Sequence, residues 1–424
     1  MTAAGQVGRP RADLVISGAA EVLTVPPTGG LGAVADGVVA IANGRIVGVG
    51  ARHALESQVD LGAATVVDLD GGVVAPGYVD AHTHAVFGGS RVAEYAARVA
   101  HDEDAVVRLR ETGETGISAT VRATRDTPVE DLAAEAQKRL LEMLDHGTTT
   151  VECKSGYGLT TASEIALLEV NRVLAGRLPM RLMSTFLGAH DVPAGWSRAD
   201  YASLVVGEMI PEVAARDLAA FCDVYCDEGY FDVADARRIL EAGMASGLRS
   251  KIHLDAYSHT GAAGMAADLG VVSADHLNEL TDADAATLAS AGVVGVGLPG
   301  LDLAVGHDRP VDLPALRAAG MEVALATDMC PACWMTSMTL VVQLACRRHG
   351  LSIDMAIRAA TRGGALALGL GDEIGSLAPG YAADLQAWDL PDHRHLAYRL
   401  GSNPVVLVMR DGEVVVDRRP DLLT

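Results

Sequence analysis

The sequence predicts an α/β protein: a (β/α)8 TIM-like barrel with a small β-sandwich built from both chain termini. Three observations lead there. From about residue 73 to residue 370, short apolar runs alternate with Ala-rich amphipathic stretches. Repeated βα units of this length form a parallel sheet, and eight strands close it into a barrel. Polar residues gather where the apolar runs end, and catalytic groups in such barrels occupy that C-terminal face. Both chain ends are strand-rich instead. The expected organisation is therefore a composite sandwich from 1–72 and 371–424, with the barrel, 73–370, as a long insertion.

Each element has its own signal. The N-terminal β segments are 13–16, 37–41, 45–49 and 64–68, and Asn43-Gly44 marks a tight hairpin between two of them. The run 73–80 opens the barrel. Strand-like runs follow at 148–153, 180–187, 221–226, 249–253, 271–276, 293–298 and 322–328. Helical spacing of apolar residues marks 129–146, 163–176, 211–220, 233–246, 260–269, 282–291 and 312–319. The C-terminal β style returns at 383–388 and 405–409, where Asp411-Gly412 turns the chain into 413–416.

Composition excludes several function classes. The net charge of −22 argues against a nucleic-acid partner, yet one placed arginine suffices to hold a small anion. Half the residues are hydrophobic, but no uninterrupted apolar run reaches the ~18 residues that span a bilayer. Met1 to Pro10 lacks the apolar stretch of a secretory signal, so a cytoplasmic location is expected. Six cysteines in 424 residues are no disulfide framework. Cys330 and Cys333 form a lone C-x-x-C, for which packing or substrate contact is favoured over redox chemistry. Of only three lysines, Lys154 and Lys251 fall in segments assigned to the barrel mouth.

The chemistry is concentrated at strand ends. His82 and His84 are alternate residues, so on an extended chain both imidazoles face one side. Alone, such a pair is more often structural or incidental than ligating. Later strand ends supply partners: His253, His276 and Asp328. His82, His84, His253 and Asp328 offer three imidazole nitrogens and one carboxylate, a donor set suited to one divalent ion, Zn or Fe. Such an ion lowers the pKa of a bound water towards neutrality. Asp328 then serves as ligand and proton acceptor, and His276 polarises a carbonyl or protonates a leaving nitrogen. Arg91, after Phe87-Gly88-Gly89-Ser90, carries a guanidinium fork suited to a carboxylate; its plainer alternative is an ion pair within the protein. Tyr157 and His190 end two further strands, as site residues or as packing.

At these residues the chain resembles the amidohydrolase superfamily and, within it, the imidazolonepropionase family. The motifs are residues 76–91, 120–125, Lys154 to Leu159, 185–193, 251–255, 274–277 and 326–328, so the likeness runs nearly full length. Residues 121–125 and Lys-Ser-Gly-Tyr-Gly-Leu are far more specific than the His-x-His pair. The resemblance implies hydrolytic opening of a five-membered cyclic amide, with His82, His84, His253 and Asp328 as ligands of one metal and His276 catalytic. It implies substrate contacts from Arg91, Tyr157 and His190, and a homodimer. Lys154 matches a position where two-metal relatives carry a carboxylated lysine, but imidazolonepropionases keep a lysine there with one metal.

Two departures stand out. Where the family usually has Glu or Gln three positions after the metal histidine, this chain has Ala256. Where it usually reads close to Asn-Pro-Gly-Ser/Thr after the metal aspartate, this chain has Cys330, Pro331, Ala332 and Cys333, then Trp334. Ala256, Cys330, Ala332 and Cys333 are therefore assigned to a ring-binding face that is small and apolar. The leading expectation is hydrolysis of 4-imidazolone-5-propanoate, an anionic heterocycle. Two alternatives are a related hydrolase or deaminase acting on a less polar ring, and a non-catalytic scaffold.

Overall fold

The computed structural model describes residues 9–419. Most of the Met1 to Pro10 stretch read above therefore lies outside the described residues. Eight strands form one parallel sheet in sequence order, from Tyr78–Asp80 through Thr148–Lys154, Arg181–Ala189, Phe221–Cys226, Arg249–Leu254, Ser273–His276 and Val294–Gly297 to Val323–Leu325. The first and last strands meet just beyond their ends. The backbone N–H of His84 donates to Met329 O at 2.8 Å, and that of Asp328 donates to His82 O at 3.1 Å. At the other end, a helix continuing from Ile353–Arg358 through a π-turn to Gly364–Ala367 fills the seam between these two strands. Its glycines permit the approach: a Cβ on Gly363 would lie 2.2 Å from Val323 O, and one on Gly364 would lie 2.1 Å from Val79 O. The barrel is closed by backbone at the top and by a helix below.

Two further sheets form the sandwich. One contains Leu14–Ser17, Gly37–Ala42, Arg45–Ala51 and Thr65–Asp68. The other joins Glu21–Leu23, Ala33–Ala35 and Val73–Pro76 to Leu385–Trp388, Val405–Arg410 and Glu413–Asp417. Ile16, Val39, Ile41, Val74, Leu385, Leu407 and Met409 pack between them. Burial of such side chains is worth about 1.5–3 kcal/mol each.

Several elements differ from the sequence expectation. The run 73–80 is two strands. Val73–Pro76 pairs with Leu385–Trp388 in the terminal sheet, and only Tyr78–Asp80 belongs to the barrel. The helix expected over 211–220 begins at Arg198, passes through a π-turn at Val205–Met209 and ends at Ala215. Three helices without a counterpart in the sequence reading, Val92–Val99, Glu103–Glu111 and Gly116–Asp126, lie between the first two barrel strands.

Candidate active site

Strand alternation places the site's residues in layers. Along Arg249–Leu254, Lys251 and His253 face the barrel interior; along Thr148–Lys154, Glu152 and Lys154 do. His253 lies at the mouth and Lys251 one step below. His276 breaks the rule: alternation from the inward Asp275 would turn it outward. Its φ of 79° reverses the direction and brings its ring to 5.1 Å from His253. Asp328, with φ 48°, is likewise left-handed. Strained backbone of this kind persists where surrounding packing enforces it, commonly at functional sites.

The structure brings together the residues singled out for metal binding. The rings of His82 and His253 lie 4.6 Å apart, those of His82 and His84 5.3 Å apart. Asp328 Oδ1 lies 3.6 Å from His82 Nε2 and 3.5 Å from His84 Nε2. All four residues are buried. Burial, the largest cause, pushes the imidazoles of His82, His84 and His253 well below their ordinary range, which leaves them neutral and able to ligate. It pushes Asp328 up to about 7. Among the described residues, His82 Nε2, His253 Nε2, His276 Nε2 and Asp328 Oδ1 find no hydrogen-bond partner. Buried polar atoms are rarely left so; a divalent cation would answer those of His82, His253 and Asp328, and leave His276 Nε2 facing the cavity.

The layer beneath fixes the ring orientations. Nδ1 of His82 meets Asp275 Oδ2 at 2.6 Å, and Nδ1 of His253 meets Asp223 Oδ2 at 3.1 Å, so each ring presents Nε2 to the mouth. Lys154 Nζ binds Asp223 at 2.7 Å, Glu152 at 3.0 Å and Asp275 at 3.4 Å. Lys251 Nζ binds Glu152 at 3.1 Å and Ala81 O at 3.0 Å. Both lysines are fully buried inside the barrel, beneath the mouth where the sequence reading put them. Burial opposes the charge of Lys154, but the three carboxylates outweigh it and raise its pKa. A lysine so committed is a poor candidate for carboxylation. Two ammonium groups face four carboxylates, counting Asp328, with Asp80 also buried nearby and raised to about 7; a divalent cation offsets the excess of negative charge.

Above the ligands opens a cavity of about 690 Å³, lined among others by Arg91, Tyr157, His190, His276, Cys330 and Ala332. His190 stacks on His84 at 4.9 Å, and Tyr157 lies 5.2 Å from His190. Burial lowers His190 to about 4 and raises Tyr157 well above its usual value. The Arg91 fork is already engaged by a carboxylate of the chain itself: Nε and Nη2 bind Glu94 at 2.7 and 2.9 Å. Ala256 and Cys333 are not on the cavity wall. The carbonyl of Ala256 accepts from His307 Nε2 at 2.8 Å, and His307 lines the cavity instead. Sequence reasoning missed the layer of Glu152, Asp223 and Asp275, and the wall formed by Arg98, Tyr225, Tyr230, Tyr257 and His307. Alternation down from Lys154 reaches Glu152, the one member of the layer that such a signal could have found.

Comparison with known proteins agrees with this architecture. The sequence profile described as "Amidohydrolase family" matches residues 232–415. An imidazolonepropionase of Haloarcula marismortui is 42% identical over 406 residues, covering 95% of this chain and 96% of that protein. One of Geobacillus kaustophilus is 43% identical over 392 residues, covering 91% and 92%. Among solved structures, an adenosine deaminase from Xanthomonas campestris with bound zinc aligns with a TM-score of 0.74 at 23% identity, covering 98% of this chain and 96% of that one. An atrazine chlorohydrolase from Arthrobacter aurescens TC1, complexed with zinc, aligns at 0.67 and 19%, covering 97% of each chain. These two likenesses establish the fold. The near-full-length identity to the curated relatives establishes more: the chain belongs to the imidazolonepropionase family of amidohydrolases.

Proposed function

We propose that the protein hydrolyses 4-imidazolone-5-propanoate to N-formimidoyl-glutamate, a step of histidine degradation in the cytoplasm. The observation that carries this reading is the set of buried, unpartnered atoms on His82, His253, His276 and Asp328 beneath a cavity bordered by Arg91. His82, His84, His253 and Asp328 would hold one divalent ion, zinc or iron. Once bound, such an ion supplies Lewis acidity and an activated water.

The chain's own residues do the rest. Arg91 orients the propanoate, and Tyr157 and His190 border the ring. The oxygen of water bonds to the ring carbonyl carbon as Asp328 takes its proton. Burial keeps His276 neutral, and in the tautomer with its proton on the unpartnered Nε2 it donates a hydrogen bond to the carbonyl oxygen as charge grows there. The C–N bond breaks, and the proton on Asp328 passes to the departing ring nitrogen. A homodimer is part of this reading, with a solution mass of twice the chain.

The test is hydrolysis of freshly generated 4-imidazolone-5-propanoate, with metal content determined on the same sample. Turnover at roughly 1–10³ per second is expected. A metal-loaded protein without turnover would favour a second reading, a hydrolase for a less polar ring. Cys330 and Ala332 on the cavity wall support that alternative, since they offer few hydrogen bonds to a ring.

A further inference from the structure

Helix Val92–Val99 is built inside out. Glu94 is 2% exposed while Val92, Tyr95 and Val99 point to solvent. Arg91, Glu94 and Arg98 stand at i, i+3 and i+7, on one face. The Glu94 carboxylate binds Arg91 at 2.7 and 2.9 Å, Arg98 Nη2 at 2.5 Å and the backbone N–H of Gly116 at 3.1 Å. Both arginines line the cavity that leads to His84 and Asp328. Among the described residues no other carboxylate pairs with either arginine. Among the described residues, Arg91 Nη1 and the Nε and Nη1 of Arg98 make no hydrogen bond. Two guanidinium groups around one carboxylate leave this cluster a single net positive charge; elsewhere on the wall Arg309 pairs with Glu279, and Asp308 and Asp328 are acidic.

We infer that Arg98 is a second binding residue for the carboxylate of the substrate, forming with Arg91 a two-guanidinium seat. This rests on the reading above for the anionic character of the substrate. Glu94 fixes the Arg91 fork through two nitrogens and tethers Arg98 through Nη2, so part of the seat is assembled before the ligand arrives and less side-chain freedom is lost on binding. The remaining charge matches one carboxylate, which selects a mono-anionic side arm over a neutral one.

The test separates binding from turnover. Calorimetry on the metal-loaded protein would compare imidazole-4-propanoate with its carboxamide, for wild type, Arg98→Gln and Arg98→Lys. Wild type should prefer the acid. Arg98→Gln should cut that preference about tenfold, the size of one charge-assisted hydrogen bond, with amide affinity unchanged. Arg98→Lys should restore part of it. An unaltered preference in Arg98→Gln overturns the assignment, as does a parallel loss of acid and amide binding. A wild type indifferent to acid or amide overturns it too, whatever the hydrolysis assay says of the reaction.

Discussion

At the scale of single residues, roles separate by what each substitution leaves intact. His276 shares the ligand space of His82 and His253, so it must be distinguished from a ligand. As the donor to the carbonyl, its loss in His276→Ala should reduce kcat about 10²–10⁴-fold while metal content holds. Metal lost in step with activity would make it a ligand instead. For Arg91→Ala, the expected change is a rise in KM of about 10–100-fold, the worth of a hydrogen bond between charged groups, with kcat and metal content near wild type. Glu94 adds a pH dependence. Its burial opposes ionisation, but the bonds and charge from Arg91 outweigh it, and its pKa falls below the ordinary glutamate value. A carboxyl depressed on folding stabilises the fold above its unfolded pKa and ceases to do so as pH falls through the folded one. The stability gap between wild type and Glu94→Gln should therefore be flat at neutral pH and narrow below about 4.5. A gap that instead widens in acid would contradict the arrangement.

At the scale of elements, the turn from Lys154 to Leu159 that carries Tyr157 is held by one side chain. Glu164, fully buried on the helix Thr161–Ala175, accepts from the backbone N–H groups of Gly156 at 2.9 Å, Gly158 at 2.7 Å and Leu159 at 2.8 Å. Glu164→Ala would leave three donors without a partner. At about 1–3 kcal/mol for each buried loss, and with water partly replacing the acceptor, destabilisation of about 3 kcal/mol is expected in urea melts. A loss under about 1 kcal/mol would mean that the turn holds itself. Helices and strands that bury one face were legible in the sequence, as along Val129–Asp145. Others were not, for physical reasons. Glu103–Glu111 buries no residue at all, so it has no apolar stripe to detect. Met338–Arg348 is buried on most sides, so its apolar pattern lacks a period. The site divided in the same way. His82, His84, His253 and Asp328 sit where strands end, which local pattern reveals. Asp275 meets His82 from 193 positions away, and His307 replaces Ala256 at the wall from 51 positions away. No local signal encodes such pairings.

At the scale of the whole molecule, the barrel's interior charge sets how the fold depends on metal. Val79, Val296, Ala324 and Ala365 fill its lower end with apolar side chains, so the charges above cannot reach water from below. Lys154 and Lys251 offset only part of Glu152, Asp223, Asp275 and Asp328, and all of these are buried. An unbalanced buried charge is costly unless it is paired or neutralised by a proton. Without metal, Asp328 is placed to take one proton and Asp80, buried close by and likewise raised to about 7, a second. Metal binding to the folded chain alone should stabilise it by about 4 kcal/mol when free metal exceeds Kd a thousandfold. Chelation should accordingly lower Tm by several degrees, and zinc or ferrous iron should restore it. Because binding would expel a proton from Asp328, the gain in Tm should be smaller at pH 6 than at pH 8. A Tm indifferent to chelator, in a sample shown to have lost its metal, would mean that Lys154 and Lys251 balance the interior unaided.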